Sequence, residues 1–306
     1  PTFMNLSFVE AFYWVATLKS VSRAAEKLFL TQSAVSARIA VLEEELKTPL
    51  LDRRDKHFRL TPAGTRFLAD AERLLTLWRE IKTGLGSGTQ RAMSLRMGAI
   101  ESVLHSWLIP WLERLRVEQP GLELELMVET TPVLLELMRR GALDLVLAAL
   151  PVHADGVHTR ALPSMPMVFV GKRALHKQRK YTLAQLARDE LLTFQRGSQP
   201  HVALLDLLRG AGLEAARVHT SSSISAMVRL VAVGFGVATL PHAAIERLAA
   251  TEGLRPLPCD AELVPLPLHA SWRADPTSNV LDAIVESAVA FAGSDGSKPA
   301  RHRKSR

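Results

Sequence analysis

The sequence predicts an α/β protein that begins with an all-α region. Up to residue 85 the apolar residues recur three and four positions apart, which is the spacing of one helix face. From Ser94 onward short apolar runs alternate with helical patterns, which is typical of strands covered by helices. A glycine- and serine-rich stretch, residues 84–91, predicts a flexible hinge between the two regions. The chain has 306 residues, 47% hydrophobic and 23% charged, which suffices for two or three folded domains.

Residues 7–46 predict three helices, of which the last two have the spacing of a helix-turn-helix. The first should run over residues 7–19 and begin with a capping box at Ser7. Ser22 is expected to cap the short second helix, and Thr31 the third. Two short helices joined by so tight a connection cross at a steep angle.

The third helix carries a strip of small side chains on its outer face. Val35 and Ile39 should point inward, whereas Ser36, Ala37 and Ala40 leave the backbone open to close approach. The major groove of DNA is a surface that such a helix can enter. The candidate contacts to base edges or phosphates are Ser22, Thr31, Gln32, Ser33, Ser36 and Arg38. The alternative is an ordinary amphipathic helix pair.

Leu50 to Leu60 is too short and too charged for another helix, and it predicts a wing. Pro49 ends the preceding helix. Basic residues crowd the expected tip, where Arg53 and Arg54 are the candidate phosphate contacts. Such contacts make DNA affinity fall steeply with salt. The alternative is a solvated charged loop, and the net charge of +7 suits a polyanionic partner without deciding between the two.

A long helix is predicted from Thr61-Pro62, where a cap and a first-turn proline stand in their preferred places. Its apolar residues alternate spacings of four and three, as in a coiled coil. They are Phe67, Ala71, Leu74, Trp78, Ile81 and Leu85. Because a lone helix would leave them in water, we expect them to pair with a second copy, which presents two recognition helices to two half-sites. The alternative is a helix packed on its own domain.

Several short motifs follow one another along the chain. They are Ala24-Ala25, Thr31-Gln32-Ser33-Ala34-Val35-Ser36, Leu42-Glu43, Leu50-Leu51-Asp52-Arg53, Leu60-Thr61-Pro62-Ala63-Gly64, and later the segments 95–100, 141–145 and 230–241. In this order they resemble the LysR-type transcriptional regulators. The resemblance implies a winged helix-turn-helix over residues 1–61, a linker helix and hinge over 62–91, and an effector-binding domain of periplasmic-binding-protein type over 92–293.

The resemblance also implies the partners. They are double-stranded promoter DNA, a small-molecule effector and further copies of the chain, as a homodimer and then a homotetramer built as a dimer of dimers. RNA polymerase is a further candidate partner. The implied function is a regulator of transcription, activating or repressing, with an effector controlling its action at the promoter. The alternatives are an enzyme or a solute-binding protein that uses the same cleft, or an architectural protein that binds DNA without sequence preference.

The α/β region predicts a parallel sheet divided between two lobes. The predicted strands lie near residues 95–100, 122–128, 143–148, 167–170, 191–194, 216–219, 236–240 and 266–272, and the predicted helices near 102–118, 132–140, 183–188, 200–211, 223–233 and 279–292. The resemblance places lobe I at residues 92–161 and 267–292 and lobe II at 162–266. Ligands of such sheets bind in the cleft outside the carboxyl ends of the strands. Residues 294–306 form a basic tail with nothing to bury, and we expect it to be disordered.

Hydroxyl residues at several helix starts suggest a ligand cleft, because helix N-termini attract negative charge. The resemblance places effector contacts at Ser102, Thr130, Thr131, Gln195, Arg196, Gly197, Ser198 and Ser222. Phe194 is a candidate apolar wall, and Arg196 could pair with a carboxylate, so we expect a small organic anion. Glu101 departs from the family pattern, which commonly has proline there. A carboxylate at this point could instead take a cationic or hydrogen-bond-donating ligand, or simply face solvent.

Other classes of protein are poorly supported by the sequence. The single cysteine, Cys259, excludes an internal disulfide and a multi-cysteine metal site. The common catalytic motifs for nucleophilic, zinc and phosphate chemistry do not occur. We therefore expect no enzyme activity, no cofactor and no metal. No run is long and apolar enough for a membrane span and no export signal is evident, which leads us to expect a cytoplasmic protein.

Overall fold

The computed structural model describes residues 5–52, 59–84, 93–215 and 217–294. Its N-terminal part is the predicted three-helix unit. The helices are α1 (Leu6–Leu18), α2 (Val21–Leu28) and α3 (Gln32–Glu45). They enclose one hydrophobic core, in which Trp14 of α1 and Ile39 and Leu42 of α3 are almost fully buried. The inward face of α3 is therefore the one that the sequence predicts.

The first and third helices begin at polar caps. Thr31 caps α3 as predicted, because its Oγ1 accepts a hydrogen bond from the Ala34 N–H at 3.2 Å. At α1 the cap is Asn5, whose Oδ1 accepts from the Ser7 N–H at 2.9 Å. The capping box predicted at Ser7 is therefore wrong, since Ser7 already lies inside the helix, whereas a cap needs extended backbone just outside it.

The second helix begins at Ser20, so the cap predicted at Ser22 is also wrong. Lys19 ends α1 in the left-handed conformation, at φ 50°. This turn leaves Ser20 extended, and its Oγ accepts from the Arg23 N–H at 3.4 Å. Ser22 consequently lies in the first turn of α2, where its side chain is half-buried.

The wing follows α3 as a short antiparallel ribbon. Its strands are β1 (Leu51–Asp52) and β2 (Arg59–Leu60). A carboxylate oxygen of Glu43, in the last turns of α3, accepts hydrogen bonds from the N–H groups of Leu50 and Leu51 at 2.8 and 2.9 Å. Glu43 therefore fixes the start of the wing relative to the recognition helix.

The long helix α4 (Pro62–Gly84) begins where the sequence predicts. The Thr61 hydroxyl accepts from the Gly64 N–H at 2.9 Å and donates to the Pro49 carbonyl at 2.7 Å, so the same residue caps the helix and ties it to the wing. A Cβ at Gly64 would lie 2.1 Å from the Leu50 carbonyl oxygen. Only glycine permits this close approach of helix and wing.

From residue 93 the chain builds two five-stranded sheets covered by helices. The remaining strands are β3 (Met93–Ala99), β4 (Leu122–Val128), β5 (Leu145–Ala148), β6 (Val157–Met165), β7 (Met167–Lys172), β8 (Glu190–Phe194), β9 (Arg217–Ser221), β10 (Val237–Pro241), β11 (Leu254–Leu257) and β12 (Leu266–Arg273). The helices are α5 (Glu101–Val103), α6 (Ile109–Glu118), α7 (Thr131–Arg139), α8 (Leu183–Leu186), α9 (Gln199–Gly210), α10 (Ile224–Ala232), α11 (His242–Glu252) and α12 (Val280–Gly293).

Each sheet is the centre of one lobe. Lobe I has the strand order β4-β3-β5-β12-β6, and lobe II has β11-β7-β10-β8-β9. The sheets are mixed, because β12 runs antiparallel to β5 and β6, and β10 antiparallel to β7. The expected parallel sheet is therefore correct only for the pairs β3-β4, β3-β5, β8-β9 and β8-β10.

The chain crosses from lobe I to lobe II at Pro166, between β6 and β7, and returns at the start of β12. The expected boundary after residue 161 falls inside β6, which continues in the sheet of lobe I to Met165. Three elements of the two lobes are not predicted from the sequence: β6, α11 and β11. β6 lies at the edge of its sheet and most of its residues are exposed, so it lacks the apolar run of an internal strand.

The helix predicted over residues 102–118 is interrupted by a π-helical segment, Leu104–Leu108, between α5 and α6. The segment lies just before Pro110, which lacks an N–H and crowds the preceding turn. The Ser106 hydroxyl donates to the carbonyls of Ser102 and Val103, at 2.7 and 3.0 Å. π-Helical turns of this kind are frequent at functional sites.

Candidate nucleic-acid interface and ligand cleft

The outer face of α3 is open over its first two turns. Gln32, Ser33, Ser36, Ala37 and Ala40 are all exposed. The Ser33 hydroxyl lies 3.0 Å from that of Thr31, so the cap and the first turn present their polar groups together. Small side chains along this face let another surface come close to the helix backbone, as the sequence predicts.

A depression of about 580 Å³ lies between this face and the wing. Its lining residues are Val21, Ser36, Ala37, Ile39, Ala40, Leu51, Asp52 and Arg59. Arg59 is exposed at its wing side and was not among the candidate contacts from sequence. Arg53 and Arg54, the predicted phosphate contacts, lie outside the described residues. The described part of the wing thus supplies one cation beside the recognition helix.

Arg38 points away from this depression. It is half-buried and lines a second, larger groove of about 1440 Å³ between the three-helix unit and lobe I. A residue two positions from Ser36 lies on a different side of the helix, because successive residues are about 100° apart. The structure therefore does not bring Arg38 together with Ser33 and Ser36 on one surface.

The predicted coiled-coil seam on α4 divides into two halves. In the first half Ala71 is 1% exposed, and the Phe67 ring packs against Phe12 of α1 with centroids 5.3 Å apart. Leu74 is also partly buried in this core. This half follows the alternative expectation, a helix packed on its own domain. Its side chains pack in the core of the three-helix unit.

In the second half of the seam the apolar side chains face solvent. Trp78 is 43% exposed and Ile81 44%, and the neighbouring Leu77 is 54% exposed. Leu85 lies outside the described residues. Large apolar side chains clustered on one exposed helix end mark a surface that another protein chain can cover.

A joint connects the three-helix unit to the loop that follows β12. The Tyr13 hydroxyl donates to the Ala274 carbonyl at 3.3 Å, and Arg79 of α4 donates to the Asp275 carbonyl at 3.1 Å. Burial raises the pKa of Tyr13 well above its ordinary value, which keeps the hydroxyl protonated as a donor. Lys27 of α2 lies over the Trp14 ring and 3.6 Å from the Asp275 carboxylate. All three helices of the joint thus contact one loop of lobe I.

A second buried charge pair lies beside this joint. Asp144 accepts hydrogen bonds from the side chain and the backbone N–H of Arg96, at 2.9 to 3.1 Å. Burial alone would raise the pKa of Asp144, but the hydrogen bonds from Arg96 and the nearby charge of Lys27 outweigh it and lower the pKa. Burial lowers the pKa of Arg96, whereas the contact with Asp144 raises it. The net effect is an increase in the pKa. The pair is therefore ionised.

The expected effector residues lie at the ends of strands and the starts of helices, as predicted. Ser102 is almost fully buried in lobe I. Thr131 accepts from the Ala149 N–H at 3.3 Å, whereas Thr130 caps α7 with its backbone only. In lobe II, Ser222 is exposed, and the half-buried Phe194 packs against the cores of both lobes.

The loop before α9 has polar atoms that lack partners. Gly197 takes the left-handed conformation at φ 82°, and its N–H donates to His201 Nδ1 at 3.3 Å. Arg196 and Gly197 are exposed, and Gln195 is half-buried. Ser198 Oγ and the Gln199 side-chain carbonyl are buried and find no hydrogen-bond partner among the described residues. Unpaired buried polar atoms are costly unless a ligand or water satisfies them.

Glu101 is the residue whose role the sequence did not reveal. It stands in the first turn of α5 in lobe I, and its carboxylate crosses the cleft to lobe II. There Oε1 accepts from the Ser223 hydroxyl at 3.1 Å, and Oε2 accepts from the Ile224 N–H. One turn later His105 Nε2 lies 3.3 Å from the Ser225 hydroxyl. Two neighbouring side chains therefore join the lobes.

Over the described residues, no group of three or more His, Cys, Asp or Glu side chains is arranged to hold a metal ion. Within the same part of the chain, none of the helices combines the length and the apolar character needed to cross a membrane.

The chain matches two family models. "Bacterial regulatory helix-turn-helix protein, lysR family" matches residues 6–65, and "LysR substrate binding domain" matches residues 88–292. The HTH-type transcriptional regulator HdfR of Yersinia pestis (strain Pestoides F) is 37% identical over 152 residues, which are 50% of this chain and 52% of that protein. The chain thus spans about half the length of the curated relatives that it matches.

Solved structures share the whole architecture. Full-length OxyR from Pseudomonas aeruginosa has a TM-score of 0.64 at 24% identity, over 95% of each chain. Full-length LysG from Corynebacterium glutamicum with bound effector Arg has a TM-score of 0.58 at 21% identity, over 94% of this chain and 98% of that one. Since the substrate-binding model alone covers residues 88–292 and follows a matching helix-turn-helix, the chain belongs to the LysR family.

Proposed function

We propose that this chain is a DNA-binding regulator of transcription whose two-lobed domain responds to a small-molecule effector. The observation that carries the proposal is the open face of α3 beside the wing. Ser33, Ser36 and Gln32 are exposed there and have groups that can hydrogen-bond base edges. Family membership supports the reading, because both of the matched models belong to LysR-type proteins.

The recognition helix would enter the major groove with Ser36 and Ala37 nearest the bases. Arg59 then lies at the flank, where a guanidinium can neutralise a phosphate of the adjoining strand. The Thr31 hydroxyl caps the helix by accepting a hydrogen bond from the Ala34 N–H. It must therefore keep this hydrogen bond when it contacts a phosphate. Arg53 and Arg54 remain proposed phosphate contacts on the wing. Ser22 follows Val21, which lines the depression beside the wing, and Ser22 remains a proposed contact to the DNA backbone.

Two copies of the chain would pair through the exposed end of α4. Trp78, Ile81 and Leu77 form the apolar surface that this pairing needs, and Leu85 would extend it. Burial of apolar surface contributes about 25 cal/mol per Å², so a cluster of large side chains favours a stable contact. Two paired chains then read two half-sites of approximate dyad symmetry. Two such dimers would form a homotetramer on the promoter, where RNA polymerase is the proposed further partner.

The joint at the loop after β12 provides a route from the cleft to the recognition unit. β12 is the strand by which the chain returns from lobe II, and the loop after it contacts Tyr13, Lys27 and Arg79. A change in the arrangement of the lobes would therefore move this loop, and with it the contacts to α1, α2 and α4. Regulation requires only that the effector bind one arrangement more tightly than the other.

The effector site would lie between the lobes, at Ser102, Thr130 and Thr131 on one side. On the other side lie Phe194, the segment 195–198 and Ser222. Family membership implies a small-molecule ligand in this domain. The organic anion expected from sequence is not part of this proposal, because a carboxylate of the chain itself already occupies the cleft.

Footprinting of the purified full chain tests the function. We expect protection of one region in DNA that flanks its own gene, in excess random competitor. Ser36→Trp should reduce the specific affinity at least tenfold, because a large side chain blocks approach at the open face, and lost base contacts cost about 1–3 kcal/mol each. The matched control is Ser164→Trp, an exposed serine on β6 in lobe I, which should leave the footprint unchanged.

Equal affinity for flanking and random DNA would instead favour an architectural protein. An unchanged footprint with Ser36→Trp, in a variant that retains its oligomeric state, would show that the open face of α3 does not read DNA.

A further inference from the structure

The N-terminus of α10 is a site for negative charge that is already filled. Helix N-termini present unpaired N–H groups and a positive dipole end, and a carboxylate placed there is stabilised. In this chain the Ile224 N–H donates to Glu101, and the Ala226 N–H donates to the Ser223 hydroxyl at 3.3 Å. The Ser223 N–H donates to Ser221 Oγ at 3.1 Å. Three of the N–H groups that a ligand carboxylate would use, those of Ser223, Ile224 and Ala226, are therefore engaged.

The carboxylate that fills the site comes from the opposite lobe. Glu101 and Ser223 are 122 residues apart in sequence, and they stand at the ends of β3 and β9, whose sheets are separate. His105 meets Ser225 beside them, so the start of α10 is held at two adjacent points. The π-helical segment that follows Glu101 packs against α11 of lobe II, which extends the contact between the lobes.

We propose that Glu101 is an internal ligand, which closes the two lobes and excludes free carboxylates from the N-terminus of α10. The carboxylate is tethered to the chain, so its effective concentration at α10 is in the millimolar range or above. A free carboxylate would have to displace it, and the displaced Glu101 would remain nearby as a like charge. Free carboxylates are thus the class of ligand that the effector site rejects. Only the role of this exclusion in regulation rests on the proposed function.

The unpaired polar atoms near the cleft indicate which kind of ligand it admits. Among the described residues at the starts of α9 and α10, the buried side-chain atoms without partners belong to Ser198 and Gln199 of the α9 end. The side-chain carbonyl of Gln199 can only accept a hydrogen bond. An effector of this chain therefore donates hydrogen bonds to the loop before α9 and presents no carboxylate to α10.

Thermal unfolding of the full chain with and without acetate tests the proposal. Acetate is titrated against chloride at constant ionic strength, on wild type, Glu101→Ala and the control Glu129→Ala. Glu129 is an exposed carboxylate at the end of β4 in lobe I, on the same edge of the sheet as Glu101. We expect Glu101→Ala to lower the unfolding midpoint by about 2–6 °C, and Glu129→Ala to leave it within about 1 °C.

Acetate should then raise the midpoint of Glu101→Ala by at least about 1 °C, because it binds the vacated site in the folded state only. It should not shift wild type or Glu129→Ala. If acetate shifts all three proteins equally, or if Glu101→Ala unfolds at the wild-type midpoint, the proposal is wrong. Should Glu101→Ala not yield folded protein, Glu101→Ser replaces it, since serine also vacates the site at α10 and the same acetate rescue is expected.

The readouts do not involve DNA. Failure of the footprint therefore leaves this test intact, and failure of the acetate rescue leaves the proposed DNA binding intact.

Discussion

Replacing Asp144 with Asn should destabilise lobe I strongly. Asp144 lies just before β5, its side chain is 5% exposed, and it accepts three hydrogen bonds from Arg96 of β3. The change removes the charge and turns one acceptor into a donor facing a guanidinium. Removal of one partner from a buried ion pair costs about 3–5 kcal/mol. Because the Arg96 side chain keeps 23% exposure, the lower end applies, and we expect a loss of about 3 kcal/mol in the free energy of unfolding.

The assay is urea unfolding of the full chain at pH 7, followed by tryptophan fluorescence, since Trp111 is buried in the core of lobe I. The matched control is Glu118→Gln. Glu118 also pairs with an arginine, Arg114, at 2.6 Å, but on the surface of α6. Solvent screens such pairs, so the control should unfold at the wild-type midpoint although its contact is shorter.

The decrease in the free energy of unfolding caused by Asp144→Asn should also become smaller as the pH falls. The pKa of Asp144 is lower in the folded chain than its ordinary value, which is about 3.9 when unfolded. The stabilisation is therefore complete above about pH 4 and is lost as the pH falls through the lower, folded pKa. The difference between wild type and Asp144→Asn should narrow below about pH 4. A loss under about 1 kcal/mol at pH 7, or one that stays constant with pH, would refute the reasoning.

Three further predictions concern the recognition unit and its pairing. Gly64→Ala should cost about 1–3 kcal/mol, because the new Cβ meets a wing carbonyl at 2.1 Å; Gly210→Ala, whose Cβ meets nothing within 4 Å, should unfold at or above the wild-type midpoint. Glu43→Ala should weaken DNA binding about tenfold without unfolding the protein, as two hydrogen bonds that hold the wing are lost, each worth about 1 kcal/mol; a gel-shift titration measures this. Trp78→Asp should shift the sedimentation profile toward monomer, whereas Val117→Asp, at an even more exposed apolar site on α6, should not. An unshifted Trp78→Asp profile would count against pairing through α4.

The recognition helix was predictable because its signals are local. The cap at Thr31, the inward face of Val35 and Ile39, and the small outer residues all lie within one helix, and each depends on spacing along the chain. The same holds for Thr61-Pro62 at the start of α4 and for most strands of the two lobes. The errors at Ser7 and Ser22 arose where two possible capping residues stand two positions apart, Asn5 and Ser7 in one case and Ser20 and Ser22 in the other. Only the path of the chain before the helix decides which of the two is extended.

The α4 seam shows where such signals stop. An apolar stripe shows that a helix face must be covered, but it does not show by what. In the structure α1 covers Phe67 and Ala71, while Trp78 and Ile81 stay exposed. The division follows from the length of α1, which reaches only the first half of the longer helix.

Sequence alone therefore determined the class of protein, the two architectures and the face of α3 that is open. The tertiary structure decided which contacts join distant segments: Lys27 with the loop after β12, Asp144 with Arg96, and Glu101 with the start of α10. A helix or strand pattern is set by neighbours a few residues away, and so it is written in the spacing of the chain. The partner of a buried charge is set by how sheets and helices pack, and this becomes visible only when the chain is folded.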